Sequence, residues 1–325
     1  MVITHKHERM SPVTLRHALA FALPCAVSCA ASSPREPTSP VVTQRTRPVL
    51  DARIDAGGPA LHIHCEGHGT PTVVFDSGLG LDGSGWFSGS ESEVGRATAR
   101  LTRACAYDRA GRGQSDPPAS LPHSNRQMAR ELFALLHNAG ESEPFVLVGH
   151  SMGGTNVQLL LADHPESVAG MVLLDASPEP PPIESIPAAE RADFERNIKA
   201  FEGLNIPTLL QSFVDLEASG RSLGDKPLLV LVAGRVPADL PEPLLEQARA
   251  ALAHRQASQE RLTQLSTNSL LRVVDAGHHI PRDNPTLVAR AIAAVVDAAR
   301  SGTPIDPAAF DEIDGALLGI EDNAP

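Results

Sequence analysis

The chain has 325 residues, 42% hydrophobic and 20% charged, which is ordinary globular composition with enough apolar material for one large core. A formal net charge of -12 leaves no basic stripe for a phosphate backbone, and one Trp, one Tyr and nine Phe offer little surface for base stacking. Nucleic acid is therefore not an expected partner, and the core is expected to be aliphatic.

Residues 1–30 carry Arg16 and an apolar stretch from Ala18 to Ala30, the pattern of an export signal whose apolar part is short for a bilayer span. The string "AVSC" ending at Cys29 is similar to a bacterial lipoprotein cleavage box, with Ala26 where leucine is usual. Two readings stay open: lipidation of Cys29 as a membrane tether, or ordinary signal cleavage near Ala30 or Ala31. Either predicts an exported protein that is periplasmic, secreted or lipid-anchored at the bacterial cell surface. A Ser/Pro-rich linker follows at 31–48.

From Val49 the chain alternates short apolar runs with helical spacing, which predicts an α/β fold with a mainly parallel sheet covered on both faces. "VLDARID" and "LHIHCEG" flank Gly57-Gly58-Pro59 as an opening hairpin. "PTVVFDSG", "RACAYDRAG", "PFVLVGHS", "VAGMVLLDAS", "KPLLVLVAG" and "SLLRVVDAGHH" complete eight expected strands. Met128, Leu132, Leu135 and Leu136 form one helical face behind a Ser124-x-x-Gln127 capping box. Asn284-Pro285 opens a closing helix with Val288, Ile292, Val295 and Val296 on one face, ending the domain near Arg300. About 178–226 interrupts the alternation with "PEPPP" and helical patterns, and is expected to be a small helical cap; an acidic tail occupies 301–325.

Gly149-His150-Ser151-Met152-Gly153 fits G-x-S-x-G between a strand and a helix, a turn so tight that side chains flanking the serine would collide. A serine hydroxyl needs an imidazole to take its proton, and Gly277-His278 follows the last strand, with His279 as its neighbour. A tetrahedral oxyanion needs N–H donors: Met152, directly after the serine, and Leu79 in the glycine-rich "FDSGLGLDGSGW". That loop lacks the Lys-Ser/Thr ending of a phosphate-binding P-loop.

Together "DSGLG", "YDRAGRGQSD", "GHSMGG" and "AGHHI" resemble the α/β-hydrolase superfamily, and its serine-hydrolase, esterase and lipase-like members in particular, over Val49 to Arg300. The resemblance implies an eight-stranded α/β-hydrolase fold, a Ser151/His278 pair, and no cofactor or metal. It gives Tyr107 to Ser115 a structural role beside the site. Ser77-Gly78 departs from the His-Gly of many relatives. For the triad acid two aspartates compete: Asp175, ending the sixth strand, and Asp239, late in the loop after the seventh, where relatives commonly place it. Strands six and eight lie about 10 Å apart, within reach of a loop histidine, and Asp175 is slightly favoured.

Cys25 and Cys29 fall in the signal, leaving Cys65 and Cys105 as buried thiols or a disulfide. In the family's sheet order strands two and four are neighbours, which favours their approach. His62, His64, Cys65 and His68 invite a metal reading, but no acidic partner motif accompanies them. The expected activity is hydrolysis of a carboxylic ester or related small acyl substrate through an acyl-enzyme. Carbon-carbon bond hydrolysis or acyl transfer on the same fold, and a non-catalytic surface binding lipoprotein, are the rivals.

Overall fold

A computed structural model describes residues 47–177, 187–236 and 241–310. The expected export signal, lipidation site and most of the linker lie outside the described residues, as do Asp239 and most of the acidic tail. Among the described residues no helix is long and apolar enough to cross a membrane.

Eight strands form one sheet in the order β1-β2-β4-β3-β5-β6-β7-β8: Leu50–Asp55, Ala60–Glu66, Thr72–Asp76, Ala104–Tyr107, Phe145–His150, Val168–Leu174, Leu228–Ala233 and Ser269–Val274 are β1 to β8 in chain order. β2 runs antiparallel to both β1 and β4, and all other neighbours are parallel. The helices are α1 (Gly85–Ser88), α2 (Ser92–Leu101), α3 (Asn125–Asn138), α4 (Met152–Asp163), α5 (Ala188–Glu202), α6 (Ile206–Ala218), α7 (Glu242–Leu262), α8 (Ile280–Asp283) and α9 (Pro285–Ser301).

The central strands β3, β5 and β7 are buried along their whole length because both faces are covered. Alternate residues serve opposite layers: Leu147 and Val230 join α3 and α4 in one core, while Val148 and Leu231 join α2 and α9 in the other. The α3 face predicted from spacing is buried. Its cap is one-sided, however: Ser124 Oγ accepts from Gln127 N–H at 3.2 Å, while the Gln127 amide donates onward to Glu131. At α9, Asn284 Oδ1 accepts from Leu287 N–H at 3.1 Å and Pro285 occupies the first turn. Packing continues past Arg300, where Ile305 is buried against the α9 core and its N–H donates to Asn268.

Cys65 and Cys105 face each other across the β2–β4 ladder and form a disulfide. Chain order separates them by 40 residues, but the antiparallel register brings their Cα atoms to 4.1 Å.

The segment between β6 and β7 supplies α5 and α6. Ile198 and Ile206 from it meet Met128 and Met152 in a third apolar cluster, against which Leu79 packs. This cluster lies over the start of α4, so the insertion roofs the turn between β5 and α4.

Candidate active site

Ser151 sits between the end of β5 and the start of α4 at φ 52°, ψ −120°, a conformation that a non-glycine residue adopts only when its surroundings enforce it. Those surroundings are specific. Ser151 N–H donates to Leu174 O at 3.1 Å, and Ser177 N–H donates to Ser151 O at 3.0 Å. A Cβ on Gly153 would lie 2.6 Å from the Asp76 carbonyl carbon and 2.8 Å from Ser77 O, so only glycine lets the β3 loop pass this close to the turn.

His278 follows β8. Its Nε2 is 3.0 Å from Ser151 Oγ and its Nδ1 is 2.6 Å from Asp175 Oδ2. A carboxylate can only accept, so the proton belongs on Nδ1 and the Nε2 lone pair faces the serine hydroxyl. His279, its neighbour, caps α8 and does not meet the serine; its ring centroid stands 5.5 Å from that of His278. The His278 carbonyl accepts from His150 Nε2–H at 2.9 Å, which ties the loop to the residue before the serine. Burial, reinforced by the charge of His278, pushes His150 down to about 4.

Asp175 stands one residue beyond β6, fully buried and at φ 43°. Its N–H donates to Leu231 O at 2.8 Å and its Oδ1 accepts from Ala233 N–H at 3.1 Å. Burial alone would raise its pKa, but the hydrogen bond from His278, the charge of Arg255 and the Ala233 N–H outweigh burial and hold it below the ordinary carboxylate range. After β7, the other position weighed for the acid, the described chain presents Arg235 paired with Asp275.

Arg255 was not legible as part of the site. It lies on α7, which crosses the ends of β6 and β7, where Gln259 donates to Ala176 O. The Arg255 guanidinium donates to Asp175 Oδ2 and lies 2.9 Å from His278 Nδ1.

Leu79 lies in a tight turn in which Leu81 N–H donates to Gly78 O at 3.2 Å and Gly80 takes φ +75°, the type II arrangement. A Cβ on Gly78 would stand 3.5 Å from Ser151 Cβ, so this turn lies directly against the serine. Met152 opens α4, where the first N–H groups lack intrahelical acceptors and the helix dipole favours negative charge. Ser77, the departure from the His-Gly pattern, is held inside the loop: its hydroxyl donates to Asp82 O at 2.9 Å and accepts from Trp86 Nε1–H at 3.0 Å.

Two histidines of "HIHCEGH" face carboxylates: His62 meets Asp51 of β1 at 2.6 Å and Asp108, just past β4, at 3.2 Å, and His64 meets Glu66 of its own strand at 3.0 Å. The described group with metal-like spacing is Cys65, Cys105 and Glu141. Its cysteines are a disulfide, and Glu141 pairs with Arg103 and Arg47.

A serine, an imidazole and a carboxylate in a continuous line, beside N–H donors on a glycine turn and a helix start, can perform nucleophilic acyl transfer. The family model described as "Alpha/beta hydrolase family" matches residues 73–291. The chain belongs to the α/β hydrolase family. This hydrolase is 29% identical over 241 residues to the uncharacterized protein YqjL of Bacillus subtilis, covering 72% of this chain and 87% of that one. It is 31% identical over 220 residues to the mouse sn-1-specific diacylglycerol lipase ABHD11, covering 67% and 66%. A solved thermophilic esterase from Thermogutta terrifontis shares the fold with a TM-score of 0.51 at 19% identity, over 77% of this hydrolase and 99% of the esterase.

Proposed function

We propose that this hydrolase is an exported serine esterase. The observation that carries the reading is the unbroken relay from Ser151 Oγ through His278 to Asp175, at 3.0 and 2.6 Å. Ser151 attacks the acyl carbonyl while His278 Nε2 takes its proton; Asp175 keeps the Nδ1–H tautomer and balances the imidazolium. The oxyanion is received by Leu79 and Met152 N–H. His278 then gives its proton to the departing alkoxide, leaving Ser151 acylated. Water attacks that ester while His278 takes its proton, and the imidazolium then gives that proton to Ser151 Oγ as the carboxylic acid leaves, restoring the free serine.

A carboxylic ester is the favoured substrate class, supported by the mouse relative, named for its action on diacylglycerol. The Cys65–Cys105 disulfide supports export, since such bonds persist in oxidising compartments. Export admits two ends to the leader, lipidation of Cys29 as a tether or ordinary cleavage near Ala30 or Ala31: a Cys29→Ala form would move from the membrane fraction to the soluble exported fraction in the first case and stay where the wild type is in the second.

Turnover of short p-nitrophenyl esters by the purified protein and by Ser151→Ala tests the chemistry. The wild type should hydrolyse them and the variant should fall to background; equal rates would remove Ser151 from the reaction.

A further inference from the structure

The oxyanion turn is held by a carboxylate from the insertion between β6 and β7. Glu202, the last residue of α5, is buried and meets Arg109 with both oxygens: Nη2–H donates to Oε1 at 2.7 Å and Nε–H to Oε2 at 3.0 Å. The remaining Arg109 donors serve the β3 loop. Nη1 donates to Asp76 Oδ1 and Ser77 O, each at 2.7 Å, and Nη2 donates to Gly78 O at 2.7 Å and to Leu81 O at 3.2 Å. Burial works against the guanidinium charge, but Glu202 and Asp76 outweigh it and raise the Arg109 pKa.

These contacts fix both peptide planes around Leu79. A trans peptide is planar with its N–H opposed to its C=O, so anchoring Gly78 O on Arg109 aims Leu79 N–H the other way. The next plane is fixed from its nitrogen: Gly80 N–H donates to Glu202 Oε1 at 2.8 Å. A glutamate at the final position of a helix opposes the helix dipole, a local misfit that marks a residue kept there for another purpose.

We infer that Glu202 is a positioning residue for the oxyanion hole, acting through Arg109 and Gly80 on the Leu79 N–H, so that the insertion helix is part of the catalytic apparatus as well as a roof over it. This rests on the serine-esterase reading above. It assigns Tyr107 to Ser115, through Arg109, a role in aiming a donor that a sheet-edge brace would not have.

The test uses the full-length protein with Glu202→Gln and Glu202→Asp. The amide keeps one acceptor oxygen, enough for Gly80 N–H and Arg109 Nη2–H, but it turns an NH2 toward Arg109 Nε–H and removes the charge that pairs with the guanidinium. The aspartate keeps the charge but falls one methylene short of Gly80 N–H. Each is expected to lower kcat for a p-nitrophenyl ester about 10-fold or more, short of the roughly 10²-fold or greater loss when such a donor is removed outright. KM should stay within about 2-fold. Affinity for a boronic acid that forms a tetrahedral adduct on Ser151 should fall with kcat/KM, because only the transition-state geometry uses the donor. If whichever variant folds with wild-type circular dichroism keeps wild-type kcat and boronate affinity, while Ser151→Ala is inert, the role of Glu202 is overturned and the esterase reading stands. Full activity in Ser151→Ala would overturn both.

Discussion

Arg255 and His278 share one oxygen of Asp175. The Arg255 guanidinium donates to Oδ2, His278 Nδ1–H reaches the same atom at 2.6 Å, and the two nitrogens stand 2.9 Å apart. Since Nδ1 carries a proton toward the carboxylate, Arg255 does not bond to the imidazole; it helps to hold the carboxylate that orients it. Arg255→Ala should therefore lower kcat on the order of 10-fold with little change in KM, the cost of a loosened Asp175. Steady-state kinetics at saturating ester would check this, and an unchanged kcat would make the contact structural only.

The two candidate acids separate cleanly by substitution. Asp175→Asn leaves a side chain that can force the wrong His278 tautomer, and kcat should fall by about 10⁴. Asp239→Asn should leave kcat within about 2-fold of wild type, because the His278 Nδ1 position is already taken by Asp175. The reverse ranking would move the acid to the loop after β7.

How far the site was readable from sequence follows from the range of each contact. The strands and the face of α3 rest on local periodicity, and the strand-turn-helix around Ser151 rests on adjacent residues. His278 was found because chain order fixes which loop follows the last strand. Asp175 was only weakly favoured, since its side-chain direction depends on a backbone turn at φ 43° that an aspartate in "VLLDAS" does not announce. Arg255 and Glu202 gave no signal: each is a charged helix residue, ordinarily a solvated one, and each meets its partner across 80 and 93 residues of chain. The Cys65–Cys105 bond waited on the register of β2 against β4.

Gly153 is required by the close passage of the Asp76–Ser77 backbone. Gly153→Ala must displace either that loop or the start of α4, and should destabilise the protein by about 3 kcal/mol. It should also lower kcat, since the displaced loop carries Leu79. Urea unfolding and ester kinetics on the same preparation would show both losses, and a stable variant with full activity would contradict the packing described.

His150 makes folding sensitive to mild acid. Its pKa is pushed from 6.5 to about 4 in the fold, so between those values the unfolded chain binds the proton and the native protein does not. Stability therefore falls as pH drops from 6.5 toward 4, by about 2 kcal/mol between pH 7 and pH 5 from this group. His150→Gln keeps an N–H donor for the His278 carbonyl and should lose that part of the slope. Urea midpoints at the two pH values would reveal it, and parallel slopes in wild type and variant would exclude His150 as the source.

The disulfide closes a loop of 40 residues between buried strands, and constraining such a loop in the unfolded chain stabilises the fold by about 4 kcal/mol. Replacing Cys65 and Cys105 together by Ala should lower the urea midpoint accordingly and leave kcat near wild type, because neither residue touches the Ser151 turn. A midpoint unchanged from the oxidised wild type would contradict that contribution.

The most direct test of the central claim is to quench the enzyme within its first turnovers on a p-nitrophenyl ester and map the protein by mass spectrometry. One acyl group on the peptide containing Ser151, absent from Ser151→Ala, is the predicted result. Rapid hydrolysis with no acylated protein at any quench time, or an acyl group on another residue, would contradict it.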